Sequence, residues 1–239
     1  MSRIVLYILS IFDRLYQKKI IKELKKIFNK KIDIVFDVGA HKGEFIKLII
    51  NNFKTNKIYS FEPSKKNFTI LKNKISNKKI NINYIFLNNF GLGEYNELKN
   101  FKQMLESSSS TLSEINTNSK YFKRKKFLLN FGIKSKFFEE TIVNIKDGFS
   151  FIKEKKIEKI DLLKIDTEGH EFFVLKGFGE NLKKIKVIFF EHHYDNMIIK
   201  NYTFSDIHNY LIQKNFKAYS KFKMPFRKSF EYIYYNKKN

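Results

Sequence analysis

The chain has no cysteine among its 239 residues. This absence excludes disulfide bonds, thiolate metal sites and a cysteine nucleophile, and nothing in it points to an oxidising compartment. We therefore expect a cytoplasmic location, either free in the cytoplasm or at the periphery of a membrane. With 43% hydrophobic and 17% aromatic residues, the chain can bury the core of one large α/β domain.

Arginine is scarce although the net charge is +23. It occurs only at positions 3, 14, 124 and 227, whereas lysines are spread through every segment. Proteins that read bases and phosphates favour the bidentate guanidinium group. We therefore expect solvated lysine faces and no nucleic-acid partner, with a membrane surface or an anionic substrate as the alternative use of the charge.

The chain also lacks a hydrophobic run long enough to span a bilayer. The candidate stretch, residues 4–12, is followed at once by Asp13 and Arg14, and no small-residue cleavage site follows it. Apolar residues recur at helical spacing up to Phe28, which predicts N-terminal helices over residues 1–31. Two interpretations stay open: helices packed on the domain, or a basic amphipathic helix that contacts a membrane peripherally.

From Ile32 onwards, short β-rich runs alternate with helical patterns, as in a parallel α/β sheet. The predicted strands are 32–38, 57–61, 82–87, 160–165 and 187–190. The predicted helices are 44–52, 65–76, 171–176 and 204–214. Residues 217–220 and 231–235 are predicted to form an antiparallel hairpin.

The alternation is less regular between residues 88 and 147, which include a Gly-Leu-Gly turn at positions 91–93 and a basic aromatic stretch at 121–138. We predict an insertion that shapes the substrate side, with a mobile surface loop as the alternative. The cations at positions 123–126 could receive an anionic acceptor, such as a phosphorylated or lipid-linked sugar, or could be a solvated charge run.

A glycine-containing turn directly follows the first predicted strand. Its candidate ligand-binding residues are Asp37, Gly39, Ala40, His41 and Gly43. Glycines at such a turn let the backbone approach a ligand at the carboxyl end of the sheet.

The second predicted strand ends in Glu62, which precedes Pro63. Its spacing from the turn is that of a carboxylate that binds ribose hydroxyls, and both residues are candidate cofactor contacts. These features fit S-adenosylmethionine and a nicotinamide dinucleotide alike. The dinucleotide fingerprint needs glycine where His41 stands, because the backbone there meets pyrophosphate. S-adenosylmethionine has no pyrophosphate, so we expect it as the methyl donor, with Asp37 near its cationic end. An NAD-dependent oxidoreductase is the alternative.

A second dense group of ionisable residues follows the fourth predicted strand. It includes Asp166, Glu168 and His170, and the fifth strand ends similarly, with Glu191-His192-His193. Such clusters at the carboxyl end of a sheet predict a functional site, although Thr167 and Glu168 could simply cap a helix.

Several motifs together resemble one family. They are Asp37-Val38-Gly39-Ala40 with Gly43, Phe61-Glu62-Pro63, Gly91-Leu92-Gly93, Lys164-Ile165-Asp166-Thr167-Glu168-Gly169-His170-Glu171 and Leu175-Lys176-Gly177. In this order, over residues 32–193, the chain resembles the FkbM family of methyltransferases.

The resemblance implies a Rossmann-like class I methyltransferase fold, with a mostly parallel seven-stranded sheet and helices on both faces. It also implies O-methylation of a hydroxyl on a sugar, glycan or natural product. Residues 1–31 would be a helical extension and 32–239 the methyltransferase domain. His41 stands where the family often has asparagine.

Methyl transfer to an alcohol requires in-line alignment and removal of the hydroxyl proton. His170 is the leading candidate for the base because its ordinary pKa suits neutral pH. Asp166 would orient donor or acceptor, Glu168 would assist, and His192 is the alternative base.

A metal-assisted variant uses the same cluster. The ligands would be Asp166, Glu191 and His192, with Glu168 and His170 as further donors, and the ion would be Mg²⁺ or Mn²⁺. A noncatalytic membrane-surface binding protein is the third interpretation. It predicts that changing Asp166, Glu168 or His170 leaves function unaltered.

Overall fold

The structure is a computed structural model that describes residues 3–76, 82–104, 110–130, 138–225 and 227–238, with side chains from residue 15 onwards apart from those of 125 and 127–130. The helices, in chain order, are α1 Arg3–Phe28, α2 Glu44–Ile50, α3 Lys65–Ser76, α4 Lys120–Asn130, α5 Gly148–Glu154, α6 Glu171–Phe178 and α7 Phe204–Gln213. The strands are β1 Ile34–Val38, β2 Lys57–Phe61, β3 Ile85–Asn88, β4 Gly91–Gly93, β5 Glu97–Met104, β6 Glu114–Ile115, β7 Phe138–Asp147, β8 Ile160–Ile165, β9 Ile185–His193, β10 Ile198–Ile199, β11 Phe216–Lys223 and β12 Ser229–Asn236.

Seven strands form the central sheet in the order β11-β12-β9-β8-β1-β2-β3. The neighbours from β3 to β9 pair in parallel, and β12 runs antiparallel to both β9 and β11. The predicted Rossmann-like fold, with its mostly parallel sheet and closing hairpin, is confirmed.

The central strands are apolar on both faces because helices cover both. In β1, Phe36 is fully buried and faces one core, where its ring centroid lies 5.4 Å from that of Phe61. The adjacent Val35 is equally buried but belongs to the other core, which includes Leu24 of α1 and Ile46 of α2. Successive residues of a strand point to opposite faces, so a nearly continuous apolar run is what a doubly covered strand requires.

One continuous helix, α1, replaces the several N-terminal helices that the sequence predicts. Its side chains Tyr16, Ile20, Leu24 and Phe28, spaced four residues apart, are buried against the sheet. Residues 16–28 therefore pack on the domain. The side chains of residues 3–14 lie outside the description, so membrane contact stays a prediction. No helix among the described residues is long and apolar enough to cross a membrane.

The insertion is more ordered than its sequence predicts. It contains a three-stranded sheet, β4-β7-β5, in which β5 and β7 are antiparallel over eight residue pairs from Glu97↔Ile145 to Met104↔Phe138. The Gly-Leu-Gly segment, predicted as a turn, is strand β4. Local periodicity missed this sheet because its partner strands are far apart in the sequence. The cations Lys123 and Arg124 are exposed on α4, and the rest of the basic aromatic stretch at 131–137 lies outside the described residues.

Two other local structures differ from the sequence prediction. Helix α5 was not predicted, although Asp147 caps it by accepting a hydrogen bond from the backbone N–H of Ser150 at 2.6 Å. Strand β9 extends to His193, so Glu191, His192 and His193 lie within the strand rather than after it. Their side chains therefore alternate between the two faces of the sheet.

Candidate functional site

A cavity of about 390 Å³ opens at the carboxyl ends of β1, β2 and β8. Five of the predicted cofactor residues line it, and so do the two carboxylates predicted to be catalytic: Gly39, Ala40, His41, Glu62, Pro63, Asp166 and Glu168. The fold thus brings together the glycine turn, the end of the second strand and the loop after β8 that carries Asp166 and Glu168, hereafter the acidic loop, as the sequence predicts. Of the other predicted cofactor residues, Gly43 precedes α2 and Asp37 is buried in β1.

Gly39 stands at the closest backbone approach in the site. Its φ is +77°, and a Cβ atom there would lie 1.8 Å from the carbonyl oxygen of Asp166. The N–H groups of Gly39 and Ala40 both donate to the carbonyl of Phe61 at 3.0 Å. The glycine therefore holds three strand ends together, and these two amides are occupied within the protein.

His41 also has a left-handed backbone, with φ +48°. Asparagine and histidine tolerate this conformation better than most residues. Histidine at this position is therefore compatible with the turn. Its backbone N–H donates to Glu62 Oε2 at 2.8 Å, and its ring Nδ1 lies 3.4 Å from Glu44 Oε2.

Glu62 is a buried carboxylate that lines the cavity and is 4% exposed. One oxygen accepts from the His41 N–H, and the other accepts from the Ser64 N–H at 3.0 Å. A carboxylate has about four acceptor sites, so each oxygen retains capacity for a ligand hydroxyl. Burial raises the pKa of Glu62 to about 7, although these backbone bonds oppose the shift.

Replacing Glu62 with glutamine is expected to change how stability depends on pH. The raised pKa means that folded Glu62 holds a proton which the unfolded chain releases between the ordinary pKa of 4.5 and about 7. The wild-type protein therefore loses stability as pH rises through this window, by on the order of 3 kcal/mol, whereas glutamine does not titrate. Urea unfolding at pH 5, 6, 7 and 8 should show the variant gaining stability relative to wild type.

The exposed Glu180, paired with Lys214 at 2.9 Å, is the control for that experiment. Glu180→Gln should not reproduce the gain, because the pKa of Glu180 is lowered by its hydrogen bond to Lys214. A difference between Glu62→Gln and wild type that stays constant with pH would show that Glu62 ionises normally.

Lys164 is a buried cation in β8. Its motif was recognised in the sequence, but no role was predicted for it. Its Nζ lies 3.3 Å from Asp37 Oδ1 and 3.4 Å from Asp166 Oδ2, and it donates to the Gly39 carbonyl at 3.2 Å. Although burial opposes its charge, the carboxylates of Asp166 and Asp37 raise its pKa above the ordinary value. Asp37 is therefore paired with Lys164 behind the cavity wall. The signal in the sequence was a lysine among the apolar residues 162–165 of β8.

Glu168 enters the cavity from a strained loop after β8. Its φ is +51°, which is unfavourable for a residue with a side chain. The Glu168 carbonyl accepts from Thr111 Oγ1 at 2.6 Å, and the Gly169 carbonyl accepts from Ser113 Oγ at 2.8 Å. The insertion thus fixes the acidic loop in a conformation that the local sequence does not favour.

Behind Glu168 lies His193, which belongs to the ionisable group predicted at the end of the fifth strand but was not predicted to be catalytic or to bind a metal. Its Nε2 is 3.1 Å from Glu168 Oε2 and 3.2 Å from Glu191 Oε1, and its Nδ1 is 3.4 Å from Asp195 Oδ2. Although burial opposes a charge, Glu168 and Glu191 raise the pKa of His193 well above its ordinary value.

The two histidines predicted as bases do not line the cavity. His170 precedes α6, and its ring stacks on Phe173 at 4.7 Å. Burial lowers the pKa of His170 to about 3. Burial and Lys200 likewise lower the pKa of His192 to about 3. Both imidazoles are therefore neutral and weakly basic at neutral pH.

The predicted metal ligands Asp166, Glu191 and His192 are not brought together. Adjacent residues of a strand point to opposite faces, so Glu191 and His192 cannot face one ion from β9. The side chain of His193, two residues from Glu191, points to the same face of the strand as Glu191 does. Among the described residues, the group able to surround an ion is Glu168, Glu191 and His193.

Solved structures share this fold. A methyltransferase FkbM from Methylobacillus flagellatus superposes with a TM-score of 0.54 at 16% identity, over 85% of this chain and 44% of that one. TrmK from M. capricolum, in complex with S-adenosyl-homocysteine, gives 0.51 at 13% identity over 91% and 67% of the two chains. A protein of the NADB-Rossmann superfamily from Streptococcus agalactiae gives 0.52 at 9% identity over 90% and 67%. The chain thus spans less than half the length of the Methylobacillus protein. No curated protein sequence matches it significantly.

The sequence comparison identifies the family. The model of the methyltransferase FkbM domain matches residues 37–218, which is more than half of the chain and includes the glycine turn, Glu62 and the acidic loop. The chain belongs to the FkbM methyltransferase family.

Proposed function

We propose that this protein is an S-adenosylmethionine-dependent O-methyltransferase that acts on a hydroxyl of a sugar, glycan or natural product. The observation that carries the proposal is the cavity at the carboxyl ends of β1, β2 and β8, with the buried Glu62 carboxylate in its wall, in a chain of a methyltransferase family. The M. capricolum TrmK structure, of the same fold, holds S-adenosyl-homocysteine, the product of such a donor.

The residues of the cavity fit this donor. Its volume of about 390 Å³ lies within the range of small-molecule sites, about 300–1,000 Å³. The free acceptor capacity of Glu62 suits the two ribose hydroxyls, and Pro63, Leu92 and Phe101 supply apolar wall. Asp166 offers a carboxylate for the cationic end of the donor. The sequence predicted Asp37 for that place. Asp37 is instead paired with Lys164 and does not line the cavity.

The bound donor supplies an electrophilic methyl group. The protein must then align an acceptor hydroxyl with it and receive the hydroxyl proton as the new O–C bond forms and the methyl–sulfur bond of the donor breaks. Asp166 and Glu168 are the acidic side chains of the β8 loop that line the cavity. We assign proton removal to these two carboxylates, rather than to His170 or His192, because both histidines lie outside the cavity lining.

Isothermal titration calorimetry tests donor binding directly. We expect S-adenosylmethionine and S-adenosylhomocysteine to bind in the micromolar range, about −8 kcal/mol, and NAD not to bind. Glu62→Ala should weaken binding by at least about tenfold, because the hydrogen bonds to ribose are lost. Glu180→Ala, which removes an exposed carboxylate outside the cavity lining, is the matched control and should bind like wild type.

The outcomes separate the alternatives. Binding of NAD alone would establish an oxidoreductase instead. Donor binding without transfer of labelled methyl to any sugar or glycan hydroxyl would favour a noncatalytic protein. Labelled product from a hydroxyl acceptor, reduced in Glu168→Gln at unchanged donor affinity, would support O-methyl transfer.

A further inference from the structure

Three side chains from two elements converge on one buried point beside the cavity. Glu168 comes from the loop after β8, and Glu191 and His193 come from β9, two residues apart and therefore on the same face. Their exposed fractions are 6%, 3% and 8%. Of the three, Glu168 also lines the cavity, so this point lies directly behind the wall of the proposed active site.

The converging atoms contact one another as an ion pair, but no hydrogen bond of ordinary geometry among the described residues satisfies them. Glu168 Oε2, Glu191 Oε1 and His193 Nε2 are buried, and none of the three has a hydrogen bond of acceptable geometry within the described part of the chain. Buried polar atoms without partners are costly and need an explanation. Three of them aimed at one another suggest a shared ligand that is positively charged.

The distances from the imidazole nitrogen to the two carboxylate oxygens match those between ligands of one metal ion. The Nε2 atom lies 3.1 Å and 3.2 Å from the two carboxylate oxygens, and all three atoms lie within 4.8 Å of one another. Nitrogen and oxygen ligands bind ions such as zinc at about 2.0–2.2 Å. Two ligands of one such ion in tetrahedral or octahedral geometry are therefore about 3.0–3.5 Å apart.

Asp195 orients the imidazole for this role. Its Oδ2 lies 3.4 Å from His193 Nδ1, and its Oδ1 accepts from the Met197 N–H at 2.9 Å. A carboxylate behind one ring nitrogen fixes the tautomer that leaves the other nitrogen free for a metal, and metal-ligating histidines almost always have such a partner.

The charge around the point also favours a cation. The carboxylates of Glu168 and Glu191 both face Nε2 of His193, at 3.1 Å and 3.2 Å, so two carboxylates meet at one buried point. A divalent cation would relieve this repulsion among carboxylates more effectively than the single charge of a protonated imidazole.

We propose that Glu168, Glu191 and His193 bind one divalent cation of the first transition row, through one oxygen of each carboxylate and Nε2 of the imidazole. This donor set combines the oxygen ligands preferred by Mn²⁺ with the imidazole preferred by later metals. The cation takes the place of the Nε2 proton, which passes to solvent. Its role, to polarise the acceptor hydroxyl from the cavity wall, rests on the proposed function.

The test is a titration of metal-free full-length protein with Mn²⁺ alone, followed by the electron paramagnetic resonance signal of the free ion. We expect one Mn²⁺ bound per chain and a matching rise in the thermal midpoint. Glu191→Gln and His193→Gln should each weaken binding by at least about 100-fold, the upper end of the loss caused by removing a supporting second-shell group.

His192→Gln is the matched control, because it lies between the two ligands in β9 but faces the other way, and it should bind like wild type. Absence of stoichiometric Mn²⁺ binding to the wild-type protein would overturn the proposal, and so would binding that survives in a folded Glu191→Gln protein. Donor and acceptor are absent from the titration, so its failure is distinguishable from failure of the methyltransferase assignment.

Discussion

Replacing Gly39 with alanine is expected to abolish measurable binding of S-adenosylmethionine and to destabilise the protein by about 2–5 kcal/mol. The new Cβ would have to occupy a position 1.8 Å from the Asp166 carbonyl oxygen, on a backbone with φ +77°. Since neither backbone can yield without moving a strand end, the end of β1 must separate from the loop after β8. That movement displaces both walls of the cavity. Calorimetric titration with the donor and urea unfolding measure the two effects.

Gly43→Ala provides the graded control for Gly39→Ala. Gly43 has a similar left-handed φ of +84°, but the Cβ added there meets a side-chain atom, Cδ1 of Leu71, at 2.8 Å. Leucine can change rotamer, so this variant should lose stability mainly through backbone strain and retain donor binding. Equal losses in the two variants would show that strain, rather than the approach to Asp166, accounts for the effect of Gly39→Ala.

The central sheet could be predicted from the sequence because its determinants are local. Doubly covered parallel strands are mostly apolar, so β1, β2 and β8 stand out as short apolar runs, and each is followed by a helical pattern. Gly39 and Glu62 were recognisable for the same reason. Each lies at a fixed distance from a strand end, where the chain meets a ligand in folds of this class.

The convergence of Glu168, Glu191 and His193 could be predicted only in part. The sequence placed Glu168 and Glu191 near one another, but it ended the fifth strand at residue 190, and this short strand concealed the alternation that selects His193 over His192. In a strand that extends to His193, the side chains of Glu191 and His193 are two residues apart and therefore point to the same face. The contacts of Thr111 and Ser113 with the acidic loop depend on residues more than 50 positions apart. No local pattern reveals them.

The buried ion pair of Lys164 gives the second large effect. Lys164→Met is expected to lower the free energy of unfolding by about 3–5 kcal/mol. Methionine replaces the apolar stem but leaves Asp37, which is fully buried, without its cation. Asp37 has no hydrogen bond at either carboxylate oxygen within the described residues, so little else can compensate its charge. Urea unfolding at pH 7 measures the loss.

A double-mutant cycle with Asp37→Asn separates the charge from the packing. If uncompensated charge on Asp37 is the cause, adding Asp37→Asn to the Lys164→Met variant should recover part of the stability, on the order of 1–3 kcal/mol, although it is destabilising alone. Lys159→Met is the matched control. Lys159 is also paired, at 3.2 Å from Asp33, but its side chain is 59% exposed, so its loss should cost less than about 1 kcal/mol. A cost for Lys164→Met no larger than for Lys159→Met would mean that Asp37 is protonated when folded. In that case Asp37 could not neutralise Lys164, and Asp166 alone would hold the lysine beneath the donor cavity.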